Sequence, residues 1–305
     1  MQSKLLFSAS AGFLVASCVA AFADVTVMAS IKPVHSLVAS VMEGAGKPGL
    51  IVDGAGSPHT YTLKPSQAAD IEQAKVVFWI GHELEGFLEK PLQALGSKAT
   101  TISLLDVAAI TKLPPREGNG FDAHADEAEH EHEHEEIDGH IWLDPANAET
   151  MVKEIARVLS EADPGNTKIY AANAAAKIAD LQSLAIEIQA EVARVQGKGF
   201  IVFHDAYQYF EKRFGLSATG AISINPENPP GVAGIVGLRK RITDGKATCI
   251  FAEPQFDNKL VQVIAEGSTI KSAVLDPLGA TLEPGPALYD KLLRDMAQSL
   301  RACLG

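Results

Sequence analysis

The stretch NTKIYAANAAAKIADLQSLAIEIQAEVARVQ, residues 166–196, decides the fold that we expect for this chain of 305 residues. It contains neither Gly nor Pro, and its apolar side chains recur every three or four residues, as on one face of an α-helix. One continuous helix of this length would measure about 45 Å at a rise of about 1.5 Å per residue. Such a helix exceeds one layer of a small domain, so we expect it to run along two lobes. The apolar residues of its predicted buried face are Ile178, Leu181, Ala185, Ile188, Val192 and Val195.

Short β-rich segments alternate with helical segments on both sides of that helix. The strands predicted before it are DVTVMASI, GLIVD, KVVFWIG and ATTISLL, and those after it are KGFIVFHDA, SATGAISI, ATCIFAE and KSAVLD. Alternation of this kind is typical of parallel βα units rather than of a β-sandwich. GHIWLD also resembles a short strand, and PANAETMVKEIARVLSEAD after it resembles a helix with Pro145 in its first turn. The predicted fold class is therefore α/β, with two lobes of parallel βα units joined by one long rigid helix.

The length also favours two lobes, because 305 residues exceed the usual size of a single domain. We expect an N-terminal α/β lobe over residues 24–164, a linking helix over 165–197 and a C-terminal α/β lobe over 198–305. The first lobe includes a His/acid-rich segment at about residues 116–138. Its low hydrophobicity and high charge predict a flexible loop.

The N-terminal sequence MQSKLLFSASAGFLVASCVAAFADVTV has the layout of a secretory signal peptide. A basic residue precedes an apolar run that ends in Ala-Phe-Ala, which predicts a signal peptide over residues 1–23 with cleavage after Ala23. A membrane anchor and a lipoprotein lipidated at Cys18 are the alternatives. Removal of the signal peptide leaves Cys249 and Cys303, and an even number of cysteines in an oxidising compartment suggests a disulfide.

The formal net charge of −12 argues against a nucleic-acid partner, which would need a basic face. Part of the acidity lies in EHEHEHEEIDGHIWLDP, residues 129–145, where imidazoles alternate with carboxylates. A solvated low-complexity segment is one interpretation, but Glu alone would serve that purpose. The alternating imidazoles favour a loop that collects metal weakly. Its histidines are His124, His130, His132 and His134.

A set of potential metal ligands lies close to the ends of predicted strands: His59, His82, His204 and Asp276. Ligands of open α/β sheets bind outside the carboxyl ends of the strands, where these residues are placed. Each histidine taken alone is better explained as an ordinary surface or loop residue. Together, imidazoles from both halves could converge on one zinc ion between the lobes. The sequence has no G-x-S-x-G elbow and no G-x-x-x-x-G-K-[ST] loop, so no reaction is specified.

Seven ordered motifs then resemble a known family, the zinc-specific solute-binding proteins of bacterial ABC importers, of the ZnuA type in cluster A-I. The motifs are IKPVHSLV, SPHTYTLKPSQ, VVFWIGHELEGFL, a His/acid-rich insert directly before GHIWLDP, FHDAYQYF, CIFAEPQF and LDPLG. The resemblance covers essentially the whole mature chain. It implies two lobes bridged by one rigid helix, with Zn²⁺ held between them. It also implies a monomeric, non-enzymatic periplasmic receptor that delivers Zn²⁺ to a permease in the inner membrane, which works with a cytoplasmic ATPase.

The resemblance implies that the zinc ligands are His59 of SPH, His140 of GHIWLDP and His204 of FHDAY. Asp276 of LDPLG is a ligand in some relatives, whereas water takes its place in others. Manganese-binding relatives have Glu at the position of His204. The family also pairs the cysteines equivalent to Cys249 and Cys303.

Two positions depart from the family pattern. Pro58 stands where some zinc-binding members have Glu, so this loop cannot supply a carboxylate ligand there. His82 stands where relatives commonly have Pro, and it is either incidental or an additional ligand.

Three other functions remain open from the sequence. One is a manganese or iron receptor of the same fold. Another is a secreted zinc hydrolase with Asp205 or Glu253 as general base. The third is a metal-binding adhesin or zinc buffer that works without a transporter.

Overall fold

The computed structural model describes residues 25–121, 137–224, 226 and 230–305. The predicted signal peptide and the loop histidines His124, His130, His132 and His134 lie outside the described residues. Within the described ranges, no helix combines the length and the apolar character needed to cross a membrane.

The first lobe is built on a parallel sheet of four strands in the order β2-β1-β3-β4. Helices connect successive strands, as expected for βα units, and the chain then continues into a longer helix. The elements of this half are β1 (Val27–Ala29), α1 (Lys32–Val41), β2 (Gly49–Leu50), α2 (Pro65–Gln73), β3 (Val76–Trp79), α3 (Gly86–Ala94), β4 (Thr100–Ser103) and α4 (Pro145–Ala162).

The second lobe has a parallel sheet of the same design, with the strand order β6-β5-β7-β8. In both sheets the first strand in sequence is internal and has a parallel neighbour on each side. The carboxyl ends of all three strands therefore lie at the same end of the sheet. The elements of this half are β5 (Phe200–His204), α6 (Gln208–Phe214), β6 (Ala218–Ser223), α7 (Val232–Thr243), β7 (Cys249–Ala252), α8 (Lys259–Ala265), β8 (Lys271–Val274) and α9 (Leu288–Leu304).

The long helix predicted between the lobes is α5, Thr167–Val192, and it continues into a 3₁₀ turn over Ala193–Val195. It packs against α1 and α4 from the first lobe and against α6 and α9 from the second. Its buried residues include Leu181, Ile188 and Val192, which recur at the helical spacing read from the sequence. The predicted fold class, two α/β lobes joined by a long helix, is therefore confirmed.

The prediction of a strand at GHIWLD is wrong, because residues Ile141–Leu143 form a 3₁₀ turn. A short apolar run is compatible with a strand or with another buried segment, and its neighbours decide between them. Here α4 begins immediately afterwards, with Asp144 as its N-cap accepting a hydrogen bond from the Ala146 N–H at 2.9 Å. The turn instead buries Trp142, whose Nε1 donates to the Pro277 carbonyl of the second lobe at 2.8 Å.

The predicted disulfide between Cys249 and Cys303 is confirmed. It joins the first residue of β7 to α9 across a sequence separation of 54 residues, with a Cα–Cα distance of 6.1 Å. The bond therefore ties the C-terminal helix to the sheet of the second lobe.

A buried carboxyl group supports the turn that follows β3. Glu85 is fully buried, and its Oε2 accepts hydrogen bonds from the N–H groups of Ile80 at 2.8 Å and Gly81 at 3.2 Å. Burial raises the pKa of Glu85 to about 7. The preceding residue, Leu84, lies so close to Gly139 that a Cβ on that glycine would stand 3.0 Å from the Leu84 Cβ. This turn therefore packs directly beside the chain that leads to His140.

Candidate metal centre

His59 reaches the centre from the loop between β2 and α2, in the first lobe. Gln67 in the first turn of α2 holds this loop on both sides of the histidine. Its Nε2 donates to the Tyr61 hydroxyl at 2.8 Å and also to the Ile51 carbonyl. His59 is thus presented half-buried on a braced loop, with its ring turned toward the second lobe.

His140 enters from the start of the 3₁₀ turn that precedes α4. Asp138 Oδ1 accepts hydrogen bonds from the His140 backbone N–H at 3.0 Å and from its ring Nδ1 at 2.6 Å. Gln208 Nε2 donates to the second oxygen of Asp138 at 2.6 Å, which fixes the carboxylate in turn. With the ring proton on Nδ1, the lone pair of Nε2 is left to bind a metal.

His204 is the last residue of β5 and enters from the second lobe. Its Nδ1 lies 2.7 Å and 2.8 Å from the two carboxylate oxygens of Glu253, the residue that follows β7. Because β5 and β7 are neighbouring parallel strands, their carboxyl ends bring these two residues together. The carboxylate assigns the ring proton to Nδ1 here as well, so Nε2 of His204 also points into the centre.

The three imidazoles converge on one point between the lobes. Nε2 of His140 lies 3.3 Å from Nε2 of His59 and 3.2 Å from Nε2 of His204, and the ligand atoms of all three lie within 4.8 Å of one another. Tetrahedral Zn²⁺ with Zn–N bonds of about 2.0–2.1 Å would separate its nitrogen ligands by about 3.3 Å. The two spacings from His140 therefore match those of nitrogen ligands on one zinc ion.

Burial keeps His59, on the loop of the first lobe, in the form that could bind a metal. The pKa of His59 is lowered well below its usual range, first by burial and then by the neighbouring His140 and His204. At neutral pH this imidazole is therefore uncharged, as metal ligation requires.

The space enclosed by the imidazoles is very small. It measures about 10 Å³ and is walled by apolar side chains that include Trp142, Phe256 and Leu278. About this much room is needed for a single water molecule. The space is therefore the size of an ion or of one water molecule.

Among the described residues, Asp276 is not part of the group formed by the three imidazoles. Its Oδ1 accepts hydrogen bonds from the N–H groups of Leu278 and Gly279, both at 3.0 Å, and from Gln255 Nε2 at 2.8 Å. Its Oδ2 accepts from the Ala280 N–H at 2.6 Å. These bonds hold the loop that closes over the site, and Asp276 would have to give some of them up to bind a metal. Its function as a fourth ligand stays a prediction.

His82 is likewise apart from the three imidazoles. Its side chain is 68% exposed, and its Nδ1 lies 3.2 Å from Glu89 Oε2 at the surface. This placement favours the interpretation that His82 is incidental to the metal centre.

The two carboxylates nominated as bases for a hydrolase are both engaged. Asp205 forms an ion pair with Arg116, and Glu253 holds the ring of His204. Both carboxylates therefore already have a charged or ring N–H partner within the protein.

Sequence reasoning missed the orienting function of Asp138 and considered Glu253 only as a possible base. A signal existed for both residues. Asp138 stands two positions before His140, and Glu253 follows β7 just as His204 ends β5. Second ligand-shell carboxylates of this kind commonly orient metal-binding histidines.

Comparison with known proteins agrees with this geometry. The family model for ZnuA, described as the periplasmic component A of the zinc-uptake complex, matches residues 27–303. The high-affinity zinc uptake system protein ZnuA of Brucella abortus (strain 2308) is 46% identical over 98% of each chain. A crystal structure of ZnuA matches with a TM-score of 0.78 and 26% identity, covering 93% of this chain and all of that one. A ZnuA deletion mutant with zinc bound matches with a TM-score of 0.78 and 25% identity, covering 93% of this chain and 99% of that one. The chain belongs to the ZnuA family of periplasmic zinc-uptake proteins.

Proposed function

We propose that this protein is a periplasmic receptor that binds one Zn²⁺ tightly through His59, His140 and His204 and delivers it to an ABC-type permease. The observation that carries the proposal is the convergence of three Nε2 atoms from two lobes at spacings that suit zinc. Neutral imidazoles favour zinc over harder ions such as manganese, which prefer oxygen ligands.

The charges around the centre support a divalent cation. Asp138 and Glu253 are both buried, and each accepts a hydrogen bond from the ring of one proposed ligand. Two buried carboxylates without a nearby cation would be costly, whereas a bound Zn²⁺ balances their charge. The same bonds make His140 and His204 stronger donors to the metal.

Zinc binding is tested by measuring metal affinity with a competing chelator. We expect His204→Ala to weaken zinc binding by at least about tenfold, because one of three protein ligands is lost. His82→Ala is the matched control, because it removes an exposed imidazole and should leave the affinity unchanged. Unchanged zinc affinity in His204→Ala would contradict the assignment of this ligand.

The identity of the fourth ligand is tested in the same assay. Asp276→Asn keeps the shape of the side chain but removes its negative charge, so it would bind a metal more weakly than the carboxylate does. If water occupies the fourth position, the affinity for zinc stays close to that of the wild type. A loss comparable to that of His204→Ala, with unchanged stability of the zinc-free protein, would support Asp276 as a ligand.

The transport function requires export and a partner. We propose export by a signal peptide cleaved after Ala23, and action as a monomer with an inner-membrane permease and its cytoplasmic ATPase. The zinc-uptake names of the relatives support this proposal. A strain lacking the chromosomal gene should fail to grow when zinc is chelated, and regain growth with the full chain but not with its His204→Ala variant. Equal growth of both complemented strains would contradict a function in uptake.

We propose that the two lobes that enclose the zinc are residues 24–164 and 198–305, and that residues 165–197 link them. The position of α5 supports this division, because the strands of one sheet precede it and those of the other follow it. Limited proteolysis and hydrogen exchange of the zinc-free and zinc-bound protein test whether each lobe behaves as one unit.

A further inference from the structure

Residues 116–121 begin the His/acid-rich segment in the first half of the chain, yet they lie against the second lobe. The carbonyl of Asn119 accepts a hydrogen bond from the Ala221 N–H at 2.9 Å. Its side-chain Nδ2 donates to the carbonyls of Ala221 at 3.2 Å and Ile222 at 2.8 Å. The segment therefore docks on β6, the edge strand of the second sheet. The approach needs Gly220, because a Cβ there would lie 2.6 Å from the Asn119 carbonyl oxygen.

Arg116 anchors the start of this segment in a pair of buried carboxylates. Its Nε lies 2.9 Å and 3.0 Å from the two oxygens of Asp205, and its terminal nitrogens lie 2.9 Å and 2.8 Å from the oxygens of Glu211. A further contact joins its Nη2 to Asp205 Oδ1. The ring of Phe121 packs over the guanidinium, with 3.9 Å between Cζ and the ring centroid. This geometry is a fork of paired donors that only arginine provides.

The ion cluster stands directly beside the metal centre. Asp205 is the residue after His204, and its backbone N–H donates to the Ser223 carbonyl at 3.2 Å. Glu211 lies in α6, and its Oε2 also accepts from the Ala218 N–H at 2.8 Å, at the start of β6. One guanidinium therefore fixes the chain that leaves His204 together with the helix and strand that follow it.

We infer that Arg116 is a positioning residue of the metal centre, which slows zinc release by holding the backbone of His204 through Asp205. The inference rests on the proposed function, in which His204 is a zinc ligand. Zinc can leave only when its ligands move apart. Arg116 comes from the first half of the chain and holds Asp205, the residue next to His204. This contact resists the movement of His204 away from the zinc.

Loss of the guanidinium has a definite consequence. Asp205 and Glu211 would be left as buried carboxylates without a cation, and such groups turn toward water or force the surrounding chain to move. Any such movement at Asp205 shifts His204, its neighbour in the chain. All three proposed zinc ligands would nevertheless still be present.

The test compares Arg116→Met with Arg157→Met. Arg157 also bridges two carboxylates, those of Glu154 and Glu161, but on the exposed face of α4. Zinc dissociation into excess chelator is followed by stopped flow in both variants and in the wild type. We expect Arg116→Met to release zinc about tenfold faster, the lower end of the effect of residues that orient metal ligands, and Arg157→Met to behave as the wild type.

Two further measurements separate positioning from a general loss of stability. The visible spectrum of bound Co²⁺ should change in Arg116→Met, because it reports ligand geometry, and should stay unchanged in Arg157→Met. Arg116→Lys retains a cation that can pair with one carboxylate, and it should restore part of the slow release. A folded Arg116→Met protein with the wild-type release rate and cobalt spectrum would overturn the inference.

If Arg116→Met fails to fold, the combined variant Arg116→Met, Asp205→Asn, Glu211→Gln removes the unpaired charges as well. It should still release zinc faster than the wild type, and an unchanged rate would overturn the inference. Failure of the proposed function gives a different result, since the wild type would then lack one tightly bound zinc. Tight zinc in the wild type with no effect of Arg116 refutes the positioning inference alone.

Discussion

Glu253→Gln keeps the shape of the buried side chain that holds His204 and removes its negative charge. In the zinc-free protein the amide oxygen can still accept a hydrogen bond from the ring Nδ1. Zinc binding draws electron density from the imidazole, so the lost charge matters more in the zinc-bound protein. We therefore expect weaker zinc binding with little change in the stability of the zinc-free form.

The size of the loss is estimated by comparing a hydrogen bond to a carboxylate with a hydrogen bond to an amide oxygen. A hydrogen bond to a charged group contributes about 1.5–3 kcal/mol, whereas a neutral one contributes about 0.5–1.5 kcal/mol. The difference is about 1–1.5 kcal/mol, which corresponds to a loss of zinc affinity of about five- to twelvefold.

The affinity is measured by competition with a zinc chelator, and the free energy of unfolding of the zinc-free protein by urea denaturation. Glu154→Gln is the matched control, because its carboxylate pairs with Arg157 at the surface of α4. Wild-type zinc affinity in Glu253→Gln would refute the argument. An affinity loss that appears only with an equal loss of zinc-free stability would show general damage to the second lobe instead.

Three further outcomes are expected. Glu85→Gln should flatten the pH dependence of the free energy of unfolding. Burial raises the pKa of Glu85 to about 7, so the folded wild type loses stability as pH rises from about 4.5 through 7 and the carboxyl group loses its proton. Urea unfolding should show the variant more stable than the wild type at pH 8, by at most about 3 kcal/mol, and similar at pH 4; equal stability at pH 8 would contradict the buried charge. Cys249→Ser should lower the free energy of unfolding by about 4 kcal/mol on the chain-entropy model and leave Cys303 titratable, whereas two free thiols in the unfolded wild type would contradict the pairing. Deletion of residues 122–136 should remove weak, salt-sensitive zinc binding in a calorimetric titration and retain the tight phase that includes His140. Binding by the deleted residues should be weak because ordering a loop costs about 1–2 kcal/mol per residue. Loss of the tight phase would contradict the proposed site.

The lobes and their connecting helix were predictable because they depend on local patterns. Absence of Gly and Pro with a helical apolar period predicts α5, and β-rich runs between turn residues predict the strands. GHIWLD failed because a short apolar run carries no period of its own, and the N-cap at Asp144 determined its conformation.

The residue types of the metal centre were also visible in the sequence, since His59 and His204 lie beside predicted strand ends. Their convergence, however, depends on how two sheets face each other across α5, at distances that no local spacing encodes.

Three details were decided by tertiary structure alone. The oxygens of Asp276 accept hydrogen bonds from N–H groups of its own loop, and whether one of them also binds metal stays a prediction. Glu253 has the residue type of a base, but it meets the ring of His204 because β5 and β7 are neighbours. Arg116 appears in sequence as one charge near a polar loop, yet it lies between two buried carboxylates of the other lobe. A side chain's chemistry is set by its residue type, whereas its partners are set by packing between segments far apart in the chain, because a buried polar group must be satisfied by whichever groups the fold brings to it.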